Sequence, residues 1–339
     1  MISTGWGLLL LSLVVTTGGP AVALERGPHR VGVIRDARIP ESSALVYSTQ
    51  HPGMVYTIND SGHDAIVFTV EVASGRVRGT TTLAGVDATD TEALAIGPDD
   101  RLYVGDIGDN EGNREATALY ALAQPGRTDS MVRPTTYPVR YSDGPHDAEA
   151  LVAVPGTSRL AIVTKGLFSG AVYLLPSDLS PDGANVAKQV AGVTVPGLVT
   201  DAGVLSERRA VLLRTYTDAV VYRMPEWRRV AIIPLPRQRQ GESLAVHGST
   251  LLVGTEGLPS PLIELPLPRS VRERLRLPPA SARTPSPTPS PTADLTTGAG
   301  SGANESDLDW PAWAVGVSTL VLGGAWLLLR RSQRNRSTT

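Results

Sequence analysis

The sequence contains no cysteine among its 339 residues. This absence excludes disulfide bonds, thiolate metal sites and cysteine nucleophiles. Phenylalanine is almost as scarce, with two residues, so a hydrophobic core must be built from aliphatic side chains and tyrosine. No excess of one charge is present either, because the net charge is −2. This balance predicts no nucleic acid partner.

Charged side chains are also missing from residues 1–23. Leu8–Val15 forms a short apolar core, and Ala21-Val-Ala23 fits the small-x-small rule for cleavage. The pattern predicts a secretion signal peptide over residues 1–23, although this stretch lacks the usual Lys or Arg near its start. The alternative is the beginning of an ordinary buried strand or helix.

A second segment without charge is Trp310–Leu329. Its length at about 1.5 Å per residue matches a hydrocarbon core of about 30 Å, and tryptophans lie near both of its ends. Four arginines follow within residues 330–339, which places this tail in the cytoplasm. The sequence therefore predicts a single-pass plasma-membrane protein with a transmembrane helix over 310–329 and everything before it on the extracellular side.

The stretch 278–309 separates this helix from the rest of the chain. It contains Thr284–Thr292, in which proline alternates with serine and threonine, followed by a glycine-rich part. Such a composition is extended and cannot form a packed core. We therefore expect a disordered Pro/Thr/Ser/Gly-rich stalk, whose hydroxyl groups are available for O-linked sugars.

Between these segments a short phrase of the type Glu-Ala-Leu-Ala returns at intervals of about 40 to 60 residues, which is typical of repeat architectures. Its five occurrences begin at Ser43, Glu92, Glu149, Gly203 and Glu242.

Each phrase is followed by short runs rich in β-branched and aromatic residues and bounded by turn residues. Four strands per repeat predict an all-β, five-bladed β-propeller over residues 30–268. The fifth repeat lacks its last strand, and we expect Arg30–Arg35 to supply it and to close the ring. A six-bladed ring is the alternative, but it would need one more phrase.

In a propeller the first strand of each blade lines the central channel. The phrase is the first strand of each repeat, so the first residues of the five phrases should face one another around this channel. Three of them are glutamates, whose carboxylates repel one another unless protons or a cation offset the charge. Ligands that are all oxygen atoms suit a hard cation such as Ca²⁺. The alternative is that each glutamate hydrogen-bonds to amides of its own blade. The predicted ligands are Ser43, Glu92, Glu149, Glu242 and, in the fourth repeat, Asp201.

This set of residues resembles the axial residues of the calcium-activated nucleotidases, the secreted apyrases. Those proteins are five-bladed propellers. The resemblance implies an axial calcium held by a Ser, Glu, Glu, Ser, Glu ring. The chain matches this ring at Ser43, Glu92, Glu149 and Glu242, and departs from it at Gly203. The nucleotide-binding residues of that family have no identifiable counterparts, so its activity is not implied. The chain also resembles exported actinobacterial propellers of unknown role.

The loops after the second strand of each repeat predict a second feature, a mixed-charge rim at one mouth of the channel. Such a rim suits a polar or anionic ligand, although the same residues are common in plain turns. The rim residues are Asp60, Asp106, Asp109, Asn110, Lys165, Arg214 and Glu256.

No nucleophile elbow or phosphate loop occurs, and the five histidines have no metal or triad spacing. The sequence therefore favours a cell-surface binding or scaffold module that binds an extracellular protein or a small polar ligand, with no predicted catalytic residue. The alternatives are a metal-dependent hydrolase of phosphate or sugar esters and a purely structural envelope domain.

Overall fold

The structure is a computed structural model that describes residues 27–60, 62–205, 207 and 209–276. The chain divides into two compact units, Met1–Arg283 and Thr284–Thr339, and the second unit lies outside the described residues. The same holds for the predicted signal peptide, stalk, transmembrane helix and tail. Within the described part, no helix has the length and apolar character needed to cross a membrane.

The described chain is almost entirely β-structure. After β1 (His29–Ile34), the strands fall into five consecutive groups. Group one contains β2 (Val46–Tyr47), β3 (Met54–Thr57), β4 (Ile66–Glu71) and β5 (Arg76–Leu83). Group two contains β6 (Thr91–Ile96), β7 (Leu102–Asp106), β8 (Thr117–Leu122), β9 (Ser130–Val132) and β10 (Thr135–Tyr141). Group three contains β11 (Ala148–Ala153), β12 (Leu160–Thr164), β13 (Ser169–Gly170), β14 (Val172–Leu174), β15 (Asn185–Gln189) and β16 (Val195–Pro196).

Group four contains β17 (Val199–Leu205), β18 (Ala210–Thr215), β19 (Asp218–Arg223) and β20 (Arg228–Pro234). Group five contains β21 (Leu244–His247), β22 (Thr250–Val253) and β23 (Ser260–Pro266). The helix α1 (Arg269–Leu275) follows β23.

Within each group, successive long strands pair antiparallel, so each group folds as a meander. The outer strands of neighbouring groups are joined by parallel pairing in two places, β5 with β9 and β10 with β15. The second of these contacts merges groups two and three into one eight-stranded sheet.

The five groups are arranged in a closed ring. The first strand of each group contacts the first strand of the next, in the order β2, β6, β11, β17, β21 and back to β2. Five hydrophobic clusters accompany this ring, and each is shared by two neighbouring groups. A ring of radial sheets packed face to face is the β-propeller architecture.

The ring closes through the beginning of the chain. β1 pairs antiparallel with β23 at the outer edge of group five, which is the place predicted for it. Its Ile34 is fully buried in the cluster that groups one and five share. The helix α1, which the sequence analysis did not predict, buries Val271 and Leu275 in the cluster shared by groups four and five.

Candidate functional site

The inner strands carry an irregularity at the same place near their beginnings. In group two the register of the β6–β7 ladder shifts around Glu92, and in group three the β11–β12 ladder shifts around Glu149. One extra residue at such a shift is a β-bulge, which turns a side chain out of the regular alternation. Glu92 and Glu149 are therefore equivalent by structure as well as by sequence.

In group four the shift lies at Thr200, between Val199 and Asp201. The predicted equivalence of Gly203 is therefore wrong by three residues. Gly203 lies within the regular β17–β18 ladder opposite Leu212, and a Cβ there would collide with Val246. The phrase that begins at Gly203 repeats the apolar spacing only, whereas the ladder hydrogen bonds set the register.

The equivalent residues in groups one and five are Ser43 and Glu242. Ser43 follows the isolated Ser42–Asn59 bridge, and Glu242 precedes Ser243, whose carbonyl oxygen accepts the amide of Gly254. We call the five equivalent residues the axial ring: Ser43, Glu92, Glu149, Thr200 and Glu242. With Thr200 in fourth place, this ring has a hydroxyl where the resembled nucleotidases have serine.

The hydroxyl groups of the axial ring bind to the neighbouring strand group. Ser43 Oγ donates to Glu92 Oε2 at 2.8 Å. Thr200 Oγ1 donates to the carbonyl oxygen of Glu242 at 2.9 Å. These bonds bring ring residues from different groups together around one axis.

Lys165 supplies a positive charge to this ring. Its Nζ lies 2.6 Å from Glu149 Oε1, and 19% of its side chain is exposed. The same Nζ lies 5.8 Å from the centre of the Tyr216 ring. Burial alone would lower the pKa of Lys165, but Glu149 and Glu242 outweigh burial and hold it well above its usual range. Lys165 therefore neutralises an axial carboxylate, whereas the sequence predicted it at the rim of the channel.

Asp201 cross-links three inner strands. Its carboxylate accepts the amides of Ala202 at 2.7 Å, Leu244 at 2.6 Å and Leu45 at 3.2 Å. The residue is fully buried. Because its oxygens accept backbone amides of groups one, four and five, Asp201 cross-links these groups, and its predicted role as a cation ligand stays a prediction.

A repeated backbone bond places a second layer of residues beside the axial ring. The amides of Asp60, Lys165 and Glu256, each just beyond the second strand of its group, donate to a carbonyl two residues before the ring position. In group four the β17–β18 register assigns this place to Tyr216. The carbonyl partners are Glu41, Asp147 and Gln240, and Asp90 occupies the same place in group two, where it accepts the amide of Gly108.

The two layers together contain more acidic than basic groups. The cationic groups are Lys165, which lowers the pKa of Glu149 and of Glu242, and Arg214, which lowers the pKa of Glu242. The acidic residues are Glu41, Asp60, Asp90, Glu92, Asp147, Glu149, Glu242 and Glu256. A buried excess of carboxylates has to be offset by bound protons or by a bound cation.

The pKa values of the glutamates in this cluster are raised, as expected for buried and closely spaced carboxylates. Burial raises the pKa of Glu92 well above its usual range, and Glu149, Asp60 and Asp90 raise it further. Burial also raises the pKa of Glu149 and of Glu242, although Lys165 opposes the shift in both. The pKa of Glu256 rises to about 9 because of burial, with Glu242 as the next cause.

One part of the cluster has the spacing of a cation site. Asp60, Asp90 and Glu92 each offer a carboxylate oxygen, and these oxygens lie within 4.8 Å of one another. A second observation comes from Glu242, which is 3% exposed and whose Oε2 has no hydrogen-bond partner among the described residues. All donors are oxygen atoms, as Ca²⁺ and Mg²⁺ require. The residues present therefore fit a hard divalent cation.

Two of the predicted rim residues, Asp106 and Asp109, are buried and organise a loop. Asp106 accepts Arg114 Nη2 at 2.8 Å and the Tyr120 hydroxyl at 3.0 Å. Asp109 accepts the amides of Asn113 and Arg114, both at 3.0 Å. The structure thus uses both carboxylates to hold the loop after β7, and it does not expose them at a channel mouth.

Arg214 is also removed from the predicted rim. Its side chain has no exposed surface and donates to the carbonyl oxygen of Ser243 and to Gln238 Oε1. Asn110, in contrast, is exposed, and its Nδ2 lies 3.4 Å from Asp90 Oδ2. Of the predicted rim, Asp60, Asn110, Lys165 and Glu256 lie in or beside the acidic cluster.

Two acids that precede ring glutamates, Asp90 and Asp147, are not among the residues predicted from the sequence. Asp90-Thr-Glu92 and Asp147-Ala-Glu149 share an acidic pair at spacing two, and this shared spacing was the available signal. Thr200 and Tyr216 had no such signal, because their group carries no glutamate at the ring position. Their equivalence becomes visible only through the shift in the β17–β18 register.

No protein family and no curated protein matches the sequence. Among solved structures, the Myxococcus xanthus glutaminyl cyclase is similar over 70% of this chain and 95% of its own, with 16% identity and a TM-score of 0.45. The Staphylococcus aureus virginiamycin B lyase is similar over 66% of each chain, with 10% identity and a TM-score of 0.37.

The Dos1 propeller is similar over 63% of this chain, with 13% identity and a TM-score of 0.35. The Kuenenia stuttgartiensis hydrazine synthase is similar over 64%, with 12% identity and the same TM-score. This chain spans 53% of the Dos1 propeller and 56% of the hydrazine synthase, so about half the length of each.

Proposed function

We propose that this protein is a membrane-anchored, five-bladed propeller on the cell surface that binds a polar ligand or an extracellular protein and holds a Ca²⁺ ion beside its axis. The observation that carries the proposal is the buried excess of carboxylates around Asp60, Asp90 and Glu92. We also propose that the chain is related to the exported bacterial propellers that its sequence resembles.

The closed contacts of the inner strands support the proposed blade count. Each first strand has two inner-strand neighbours, and β1 completes the sheet of group five. We assign one blade to each strand group, with β1 as the outer strand of the last. The anchoring rests on the uncharged segment Trp310–Leu329 and the arginines behind it.

The cation would be held by Asp60, Asp90 and Glu92, with Glu242 as the further carboxylate whose Oε2 lacks a partner among the described residues. Lys165 already neutralises Glu149. The cation is therefore expected to lie toward groups one and two, and not at the centre of the axial ring. It would supply a positive charge to which an anionic or carbonyl group of a ligand can bind.

A hydrolase of phosphate or sugar esters is the second proposal, and one observation favours it. The pKa of Glu256 is about 9, so this half-buried group is protonated at neutral pH and could act as a general acid. Asp106 and Asp109 are engaged in loop structure, so the variant that tests the hydrolase is Glu256→Gln. Loss of turnover without a fall in the melting temperature would favour the enzyme.

The cation site is tested by thermal unfolding of the full chain in detergent, with Ca²⁺, with Mg²⁺ and with chelator. A cation that binds only the folded state stabilises it by about 2.7 kcal/mol at a hundredfold excess over Kd, which raises the melting temperature by several degrees. The variants are Asp90→Asn and Glu92→Gln, and the exposed Glu226→Gln is the matched control.

The proposal predicts a rise that is larger for Ca²⁺ than for Mg²⁺, that both site variants lose and that the control keeps. An equal rise in all proteins would mean that the cation binds elsewhere. No rise in any condition would overturn the cation site, and the acidic cluster would then be stabilised by protons and Lys165 alone.

A further inference from the structure

A groove of about 530 Å³ lies at the outer edge of the ring, where the beginning of the chain meets group one. It is bordered by β1 and the two residues that follow it on one side, and by the β4–β5 turn with the start of β5 on the other. Elsewhere, outer strands pair across neighbouring groups, as β5 does with β9 and β10 with β15. At this junction no such pairing joins β1 to β5 among the described strands, and the space between them stays open.

Three arginines line the groove: Arg30, Arg35 and Arg76. All three are exposed, and none of their guanidinium groups makes an ion pair or hydrogen bond with a described residue. Three like charges in one groove repel one another. The net charge of the chain is −2, so the positive charge of this groove is local and does not reflect an excess of basic residues in the whole chain.

Two acidic residues beside the groove, Asp36 and Glu71, are each paired with another arginine. Asp36, which also lines the groove, binds Arg38 through two contacts of 2.9 and 2.7 Å. This pairing with Arg38 lowers the pKa of Asp36. Glu71 binds Arg78 at 2.7 Å and accepts the Ser74 hydroxyl at 2.6 Å. The three lining arginines are therefore left with an uncompensated positive charge.

The walls of the groove are fixed by close backbone packing. A Cβ on Gly75 would overlap the backbone of Val33, and a Cβ on Gly32 would overlap the carbonyl oxygen of Val72. β1 and the β4–β5 turn thus touch backbone to backbone beneath the arginines. A rigid floor holds the arginine Cα positions at a constant separation, which favours binding of a ligand of defined charge spacing.

We propose that this groove binds a ligand that carries two or more phosphate groups. Guanidinium groups bind phosphate oxygens through paired, charge-assisted hydrogen bonds, and they are preferred over lysine where such planar recognition is used. Three arginines can accommodate more than one phosphate. The groove lies at the outer edge of the ring and shares no residue with the acidic cluster at the axis, so this inference is independent of the proposed cation site.

The test is calorimetric titration of the full chain in non-ionic detergent, in buffer without divalent cations. Inorganic tripolyphosphate is the probe for a soluble ligand, and bis(glycerophospho)glycerol, which carries two phosphate groups, is the probe for a phospholipid headgroup. The variants are Arg30→Gln, Arg35→Gln and Arg76→Gln, singly and combined. The matched control is the triple variant Arg140→Gln, Arg159→Gln, Arg228→Gln, which removes equal charge from exposed arginines of other strand groups.

Each single substitution should weaken binding about three- to tenfold, since an exposed charged contact contributes modestly, and binding should weaken as salt is raised. The combined variant should lose binding while the control and the melting temperature stay unchanged. Binding of tripolyphosphate alone supports a soluble ligand, and binding of both probes supports a lipid headgroup. Binding of neither probe, or an equal loss in the control, overturns the proposal.

Discussion

At the scale of single residues, the axis of the propeller is held by polar side chains that each have one defined task. Lys165 neutralises Glu149, Ser43 binds Glu92, and Asp201 collects backbone amides from three strand groups. Buried polar groups of this kind stabilise a fold only when they are satisfied. The task of each residue follows from its neighbours across the axis and not from its residue type.

Asp201 gives the clearest prediction at this scale. Asp201→Ala leaves the amides of Leu45, Ala202 and Leu244 without their acceptor in a buried place. An unsatisfied buried donor costs about 1–3 kcal/mol, so we expect a loss of at least about 3 kcal/mol. At about 2–4 °C per kcal/mol for a domain of this size, the melting temperature should fall by at least about 6 °C.

Circular dichroism during heating measures this change. The exposed Asp182→Ala is the control, since its side chain makes no contact of this kind. Equal melting temperatures for both variants would show that the Asp201 cross-link contributes nothing to stability.

At the scale of elements, closure of the ring depends on β1. Its pairing with β23 supplies the outer strand of group five, and its contact with the β4–β5 turn joins group five to group one. Gly75 makes this contact possible, because it has φ +71° and lies where any Cβ would overlap Val33. The contact between the first and last strand groups therefore has a requirement for glycine.

A side chain at Gly75 would lower stability in two ways, through its positive φ and through overlap with Val33. Comparing Gly75→Ala with Gly53→Ala separates these two effects. Both glycines lie at similar φ, +71° and +77°, but a Cβ at Gly53 has open space around it. Gly53→Ala should cost about 1 kcal/mol from backbone conformation alone. Gly75→Ala should cost at least about 2 kcal/mol more, because β1 must move away.

Denaturant unfolding measures both variants. The added cost at Gly75 should appear as a lower midpoint, and proteolysis within residues 27–35 should become faster as β1 detaches. If the two variants unfold at the same midpoint, β1 does not pack against the β4–β5 turn as described.

At the scale of the whole molecule, the ring gathers acidic residues that are far apart in sequence into one buried cluster. Glu92, Glu242 and Glu256, which lie outside the Lys165–Glu149 ion pair, have pKa values raised first of all by burial. Each therefore retains a proton in the folded state at a pH where the unfolded chain has released it. Folding is then linked to proton uptake, and a bound cation would compete with these protons.

This linkage predicts a pH dependence of stability with a definite sign. The pKa of Glu256 rises from 4.5 to about 9 on folding. Its contribution is complete below the unfolded pKa and is lost as the pH rises through the folded pKa. In chelator, the melting temperature should therefore fall between about pH 5 and about pH 9.

Melting in chelator across this range, with and without Glu256→Gln, tests the sign. The variant should show a shallower fall, because glutamine does not titrate, and added Ca²⁺ should reduce the fall in the unmodified chain. A melting temperature that rises steadily over this range would contradict the raised pKa values of the cluster.

Much of this architecture is determined by the sequence itself. Alternation of short β-branched runs with turns, and the returning phrase at Glu92, Glu149 and Glu242, specify the strands and the propeller. The need of the last repeat for an outer strand predicts the place of β1. These features are local or periodic, and a linear pattern contains them.

The tertiary structure alone decided the composition of the site. It placed Thr200 in the ring instead of Gly203, because a register is fixed by ladder hydrogen bonds and not by apolar spacing. It buried Arg214 and assigned Lys165 to Glu149, because both long side chains reach partners on other strands. Charge balance in a buried cluster is a sum over residues from every strand group, and only the closed ring brings those residues within reach of one another.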